Sequence, residues 1–89
     1  MLEAGIEKKL KKKIEILGGL CLKLVSPGMV GVPDRICLLP GGRIIFVEAK
    51  APGEKPRPLQ IKRHEQFRKL GFDVRVIDRE EQINAIQTT

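Results

Sequence analysis

The sequence predicts a small mixed α/β fold in which helices flank a four-stranded mixed sheet, in the order α-β-β-β-α-β-α. Three observations predict it. An apolar residue recurs every three or four positions near the N-terminus. Runs rich in β-branched residues follow, separated by Gly- and Pro-rich turns. A helical segment then lies between the last two predicted strands, which indicates a parallel crossover. We expect a single domain over residues 1–89.

The first half of the chain predicts a helix followed by three strands. The apolar residues that share one face of the helix are Leu2, Ile6, Leu10, Ile14 and Leu17. Gly18-Gly19 is a typical helix stop. Strands are predicted at 20–26, 34–39 and 43–50. Their short connections indicate an antiparallel meander, with Leu39 paired with Arg43 across the Pro-Gly-Gly turn.

The second half predicts one further strand between two helices. Residues 51–58 carry three prolines and a glycine, so they form an irregular loop. A helix over 59–70 is closed by Gly71, and a strand over 73–77 follows. Because this helix separates the third strand from the fourth, the two strands are expected to be parallel. A short helix over 80–86 closes the chain, with Ile83 and Ile86 facing inward.

The charge of the chain favours a polyanionic partner. Seventeen Lys and Arg against eleven acidic residues leave a net charge of +6, which favours phosphate contacts and counterion release. Trp and Tyr are absent, which argues against a surface on which the bases of single-stranded nucleic acid would stack. If the partner is a nucleic acid, the backbone of a duplex is therefore the better candidate.

The positions of the cysteines and the lengths of the apolar runs argue against a zinc-binding, membrane-spanning or secreted protein. Cys21 and Cys37 lie inside apolar runs and are expected to be buried, and one histidine without a CxxC spacing excludes a conventional zinc site. No apolar run approaches the length of a membrane span, and the N-terminus lacks a signal-peptide pattern. We therefore expect a cytoplasmic protein without a membrane partner.

The segment that carries chemistry is Gly31-Val-Pro-Asp34, followed after thirteen residues by Glu48-Ala-Lys50. Pairing Leu39 with Arg43 sets Asp34 opposite Glu48, about 5 Å apart at Cβ, with Lys50 on the same face as Glu48. Mg²⁺ or Mn²⁺ would relieve the repulsion of the two carboxylates. The same three charges are also compatible with a plain cross-strand salt bridge, which is common and nearly neutral in energy.

The stretch GVPDRICLLPGGRIIFVEAKAPGEKPRPLQ resembles the signature of virus-type replication-repair nuclease (VRR-NUC) domains. They are a branch of the restriction-endonuclease-like superfamily of PD-(D/E)xK nucleases, whose core has the same α-β-β-β-α-β order. The resemblance implies that Asp34 and Glu48 bind Mg²⁺ together with the backbone carbonyl of Ala49, with Mn²⁺ able to substitute. It also implies that Lys50 is the catalytic lysine.

Two further site residues follow from the resemblance alone. Gln60 matches the glutamine after the Pro-Leu pair at the start of the crossover helix, and Glu7 matches the acid on the first helix. Each has an ordinary alternative, because a polar residue is common in a first helical turn and Glu7 can pair with Lys11 on the surface. His64 lies one turn after Gln60, and a packed or solvated histidine is the favoured interpretation.

Several polar side chains near the predicted site are candidate DNA contacts. The basic candidates are Arg35, Lys55, Arg57, Lys62 and Arg63. Ser26 ends the first predicted strand and either contacts a phosphate or caps a turn. Residues 51–58 are interpreted as a loop that moves over the substrate, with Lys55 and Arg57 as clamps on the backbone.

Free-standing members of the family resemble Holliday-junction resolvases, which are small, dimeric and selective for DNA structure. The resemblance therefore implies a homodimeric, magnesium-dependent DNA endonuclease that cleaves branched duplexes such as four-way junctions in DNA repair. The compactness of the chain favours a bacterial or phage-infected cell as its setting. One alternative is a non-catalytic DNA-binding module of the same fold that serves a partner repair or replication enzyme. Another is a structural protein whose charged hairpin is incidental.

Overall fold

The computed structural model describes residues 2–87, which form three helices and four strands in the predicted order. Their bounds are α1 Glu3–Ile16, β1 Leu20–Lys23, β2 Arg35–Leu39, β3 Arg43–Ala49, α2 Pro58–Lys69, β4 Asp73–Ile77 and α3 Glu80–Asn84. The domain predicted over 1–89 also includes Met1, Thr88 and Thr89, which lie outside the described residues. Within residues 2–87 no helix is long and apolar enough to cross a membrane.

The strands form one mixed sheet in the order β1-β2-β3-β4. The first three strands are antiparallel neighbours, and β4 runs parallel to β3 after the α2 crossover. Leu39 pairs with Arg43, so the register predicted from the Pro-Gly-Gly turn is confirmed. The predicted fold class, a four-stranded mixed sheet flanked by helices, is confirmed as well.

One face of the sheet is covered by α1 and α3. Ile6, Leu10 and Ile14 of α1 are fully buried there together with Ile83 and Ile86, as the apolar spacing predicts. The sheet contributes alternate residues to this core, because successive side chains of a strand point to opposite faces. They include the cross-strand pair Cys21 and Cys37, whose sulfur atoms lie 3.9 Å apart as free, buried thiols.

The opposite face is only partly covered, by α2. Phe46 of β3 packs edge-to-face against Phe67 and Phe72, with ring centroids 4.9 and 5.5 Å apart. Beyond these rings none of the described helices covers β1 on this face, which leaves Leu20 and Leu22 exposed. The central strand β3 is buried from Ile45 to Ala49, so anything charged within that span is held inside the protein.

Three strands are shorter than the apolar runs predict, and each ends at the candidate site. β2 begins at Arg35 rather than Asp34, because the Asp34 carboxylate itself accepts a hydrogen bond from the β3 backbone. β1 ends at Lys23 because its neighbour β2 begins at Arg35, and only the Leu24 N–H continues the ladder, to the Asp34 carbonyl. β3 ends at Ala49, although the Lys50 N–H still donates to the Ile77 carbonyl.

Candidate active site

An open cleft of about 400 Å³ lies where β2 begins, β3 ends and the first turns of α1 and α2 converge. Its polar lining includes Glu3, Glu7, Asp34, Glu48, Lys50 and Gln60. The three residues of the predicted motif, Asp34, Glu48 and Lys50, therefore share one cavity. Their meeting depends on the hairpin register, since a slip of one residue would turn Glu48 to the other face.

Asp34 occupies the bend just before β2 and is anchored to both neighbouring strands. Its Oδ2 accepts a hydrogen bond from the Ala49 N–H at 3.2 Å, and its backbone carbonyl accepts one from Leu24 at 2.8 Å. Continuing the observed register by one residue sets Asp34 opposite Glu48. The aspartate is thus held by the backbone at the rim of the sheet.

Glu48 is the buried centre of the cleft, with 1% of its surface exposed. Its Oε2 accepts a hydrogen bond from Gln60 Nε2 at 3.1 Å and lies 3.7 Å from Lys50 Nζ. Its Oε1 has no hydrogen-bond partner among the described residues, and the nearest cationic or ionisable nitrogen is His64 Nε2 at 3.4 Å. A buried carboxylate oxygen without a partner is destabilising, so it points to a group that binds there.

The surroundings of Glu48 disfavour its charged form. Burial, and next the neighbouring Asp34 carboxyl, raise the pKa of Glu48 from 4.5 to about 8 against the opposing effect of Lys50. A carboxylic acid with such a pKa is largely protonated near neutral pH. A bound cation would reverse this balance, because it favours the carboxylate.

The donor set fits a hard divalent cation that keeps open coordination positions. Two carboxylates, Asp34 and Glu48, line the cleft beside the Ala49 backbone. Among residues 2–87 no group of three or more His, Cys, Asp and Glu side chains is arranged to hold a metal. A closed protein cage is therefore absent from this part of the chain. Mg²⁺ is commonly bound through one or two carboxylates, with water and substrate phosphate as its other ligands.

Gln60 links the start of α2 to the carboxylate. Its Oε1 accepts a hydrogen bond from the Arg57 N–H at 2.8 Å, which satisfies one of the free donors at the helix N-terminus. Its Nε2 donates to Glu48 at the same time. The structure therefore gives Gln60 a local reason to lie at this position, in addition to the catalytic role that the resemblance implies.

Glu7 lines the cleft but is engaged by Arg35. The Arg35 Nε donates to Glu7 Oε1 at 3.1 Å, and only 13% of the arginine side chain is exposed. The two residues thereby join α1 to the start of β2. Glu3, one turn before Glu7, also faces the cleft, and sequence reasoning missed it. The four-residue spacing between the two glutamates is the signal that would have found it.

The other candidate DNA contacts are spread around the cleft. Arg57 lines it directly, and Lys55 and Lys62 are exposed on the preceding loop and on α2. Ser26 lies instead beside an apolar groove on the α2 face of the sheet. Their contacts with DNA stay predictions.

Arg63 is held by the loop between β1 and β2. Its Nε donates to the Val30 carbonyl at 2.9 Å and its terminal nitrogen donates to Gln66 at 3.0 Å. The same arginine packs closely over Gly31, where a Cβ atom would lie 3.1 Å from Arg63 Cγ. Arg63 therefore stabilises the loop that leads into Asp34. If Arg63 also contacts a DNA phosphate, it must do so while keeping these hydrogen bonds.

Comparison with known proteins agrees with this geometry. No protein-family model matches the sequence. The fold matches a solved structure titled "VRR_NUC domain" with a TM-score of 0.85 and 41% sequence identity, over 94% of this chain and 92% of that one. The sequence is 53% identical over 76 residues to "Putative nuclease p44" of Acyrthosiphon pisum secondary endosymbiont phage 1, which covers 85% of this chain and 82% of that protein.

A mixed sheet that gathers an aspartate, a glutamate and a lysine at the ends of two adjacent strands defines a nuclease of the PD-(D/E)xK class. Within that class, the chain belongs to the VRR-NUC family. The resemblance carried by the GVPD, EAK and PLQ elements is thereby confirmed.

Proposed function

We propose that this nuclease is a magnesium-dependent endonuclease that hydrolyses phosphodiester bonds of DNA. The observation that carries the proposal is the buried Glu48 carboxyl, which lies in an open cleft with Asp34 and Lys50 and has one oxygen without a hydrogen-bond partner within residues 2–87. A buried acid next to a second acid is unfavourable unless a cation joins them. The net charge of +6 supports a polyanionic substrate.

Asp34, Glu48 and the Ala49 carbonyl would hold Mg²⁺, and Mn²⁺ could substitute for it. When bound, such an ion lowers the pKa of water and neutralises charge on a phosphate. Lys50 lies next to the carboxylate, so its ammonium group is placed to orient the attacking water or to stabilise charge on the phosphate oxygens, and only its neutral amine form would be able to deprotonate that water. Gln60 keeps the Glu48 carboxylate directed into the cleft through its hydrogen bond.

Cleavage of end-labelled duplex and branched DNA tests this proposal directly. We expect wild-type protein to cut with Mg²⁺ and not with EDTA, and Asp34→Asn and Lys50→Ala to slow cutting by about 100-fold or more. Lys12→Ala is the matched control, since it removes a surface lysine far from the cleft. Undiminished cutting by Lys50→Ala, or in EDTA, would contradict the assignment. DNA binding without any cutting would favour the non-catalytic module instead.

The preferred substrate is proposed to be a branched duplex such as a four-way junction, in keeping with a role in DNA repair. The described chain is little more than the catalytic core, and it holds Arg57, Lys55 and Lys62 around the cleft rather than a separate element that would read bases. Such a surface favours recognition of DNA shape and backbone over sequence. Cleavage rates on a four-way junction, a flap and a plain duplex of matched length show whether the nuclease prefers branched DNA. Equal rates on all three would refute junction selectivity.

A homodimer is part of this proposal. The incompletely covered sheet face carries an apolar groove beside the cleft, lined by Leu24, Met29, Phe46, Phe67, Leu70 and Phe72. Leu24 borders both the groove and the catalytic cleft. A second copy packed over this groove would therefore bring two active sites near one another, which suits paired incisions in a junction with two-fold symmetry.

A further inference from the structure

Helix α2 directs two side chains onto the same carboxylate. Gln60 and His64 are four residues apart on α2, so they lie on one face of the helix. The Gln60 Nε2 is 3.1 Å from Glu48 Oε2, and the His64 Nε2 is 3.4 Å from Glu48 Oε1. Each oxygen of Glu48 is therefore faced by one nitrogen from successive turns of the same helix.

The burial of His64 separates it from an ordinary surface histidine. His64 and Glu48 are each 1% exposed, and their facing atoms Nε2 and Oε1 are buried without hydrogen-bond partners among the described residues. An apolar residue at position 64 would fill the space without burying a polar nitrogen. The need to fill this space therefore does not explain why the residue at position 64 is a histidine.

The position of His64 suits a ring that donates one hydrogen bond to Glu48. Its Nε2 faces Glu48 Oε1 at 3.4 Å, and both atoms are buried without another hydrogen-bond partner among residues 2–87. A neutral imidazole carries a proton on one nitrogen only, and an acceptor near that nitrogen selects the tautomer. When Glu48 is a carboxylate, as metal binding would require, its Oε1 next to Nε2 selects the form in which Nε2 carries the proton.

We propose that His64 is a positioning residue for the metal-binding carboxylate of Glu48. Its Nε2–H donates to Oε1 while Gln60 donates to Oε2, and the two contacts together fix the plane of the carboxylate. The remaining lone pairs of Glu48 are then directed into the cleft beside Asp34. This inference rests on the proposed function, since it requires that Glu48 binds a metal ion.

Metal binding in the absence of DNA provides the test. His64→Met removes the donor and keeps an apolar side chain of similar bulk, whereas His64→Gln keeps an amide nitrogen near the position of Nε2. Outer ligand partners of this kind typically contribute about 10- to 100-fold in metal affinity. By electron paramagnetic resonance titration, we expect His64→Met to weaken Mn²⁺ binding by that factor and His64→Gln to restore most of it. Urea unfolding should show that neither variant has lost its fold.

A second measurement needs no variant. The chain contains one histidine, so its imidazole ¹⁵N signals are unique in the spectrum. In Mg²⁺-saturated protein we expect the neutral tautomer with the proton on Nε2. The opposite tautomer would overturn the inference even if His64→Met failed to fold.

The Mn²⁺-binding results distinguish failure of the role of His64 from failure of the proposed nuclease function. If wild-type protein binds no Mn²⁺, the proposed function and the inference fall together. If wild-type protein binds Mn²⁺ and a folded His64→Met variant binds it equally well, only the inference is overturned. Equal weakening by folded His64→Met and His64→Gln also overturns it, because the donor would then not matter.

Discussion

At the scale of single residues, the chemistry of this protein is concentrated in Glu48. The carboxyl group lies on the most buried strand, where it meets Gln60, Lys50 and His64 and has Asp34 nearby. The Lys50 ammonium group favours its charged form, whereas burial and the second acid oppose it. The opposing effects win in the metal-free protein, which is why the pKa rises to about 8.

The raised pKa of Glu48 predicts that metal-free protein becomes less stable as pH rises. The folded protein retains a proton that the unfolded chain releases between pH 4.5 and about 8. The stability contribution is therefore complete below pH 4.5 and is lost as pH rises through about 8. Between pH 6.5 and 8 we expect the free energy of unfolding to fall by about 1–2 kcal/mol, measured by urea denaturation in EDTA.

Glu48→Gln is the control for this pH dependence, since it keeps the shape of the side chain and removes the titrating group. The variant should lose most of the decline between pH 6.5 and 8. Addition of Mg²⁺ at pH 8 should stabilise wild-type protein and leave Glu48→Gln almost unchanged. An equally steep decline in both proteins would show that another group carries the effect.

At the scale of elements, the site depends on how closely α1 is joined to the sheet. The turn between α1 and β1 passes directly over β2, and Gly19 lies in this turn. A Cβ atom at Gly19 would lie 2.2 Å from the Leu38 carbonyl oxygen and 3.0 Å from Ile14 Cγ2. The backbones approach too closely for any side chain, so glycine is required here for space.

Gly19→Ala is therefore expected to lower the free energy of unfolding by about 1–3 kcal/mol, because the sheet and α1 must separate to admit a methyl group. Gly28→Ala is the matched control, since a Cβ atom at Gly28 meets nothing within 4 Å. That variant should remain within about 0.5 kcal/mol of wild type. Urea denaturation of both variants measures the difference, and equal stabilities would contradict the close approach.

The first turns of helix α2 form one wall of the cleft. Gln60 and His64 reach Glu48 from this helix, and Arg63 joins it to the loop before Asp34. Side chains on a helix are held more rigidly than those on a loop. The element that carries the crossover between β3 and β4 therefore also aligns the candidate catalytic carboxylate.

At the scale of the whole molecule, the helices within residues 2–87 leave part of the sheet uncovered. A small domain buries a limited fraction of its surface, and association with another subunit adds to what it buries. The apolar groove lined by Phe46, Phe67, Leu70 and Phe72 is a region where such burial would be favourable. Leu70 is 75% exposed at this groove, so its side chain is available to contact a second copy.

The proposed dimer predicts that Leu70→Glu dissociates the protein, because a charge would be buried in the shared groove. Analytical ultracentrifugation should find wild-type protein as a dimer at micromolar concentration and this variant as a monomer. Ile16→Glu is the control, since Ile16 is similarly exposed at 72% but lies at the end of α1, outside the groove. A monomeric wild type, or a dimeric Leu70→Glu variant, would contradict the arrangement.

Much of the fold and of the candidate site is predicted by local sequence patterns, without information on tertiary contacts. The apolar spacing of Ile6, Leu10 and Ile14 predicts α1, and the three-residue turn after Leu39 predicts the hairpin register. Because side chains alternate along a strand, that register alone brings Asp34 and Glu48 to the same place. The motif and the order of elements are similarly local, and both identify the family.

Only the tertiary structure decided which side chains are free to act. Arg35 and Ser26 look equally available in the sequence, yet Arg35 is paired with Glu7 and Ser26 borders the apolar groove. His64 is polar and lies on a helix with many charged residues, yet it is buried against Glu48. These outcomes depend on which face of the sheet each helix covers, and burial of that kind arises from packing between distant segments, which no local pattern encodes.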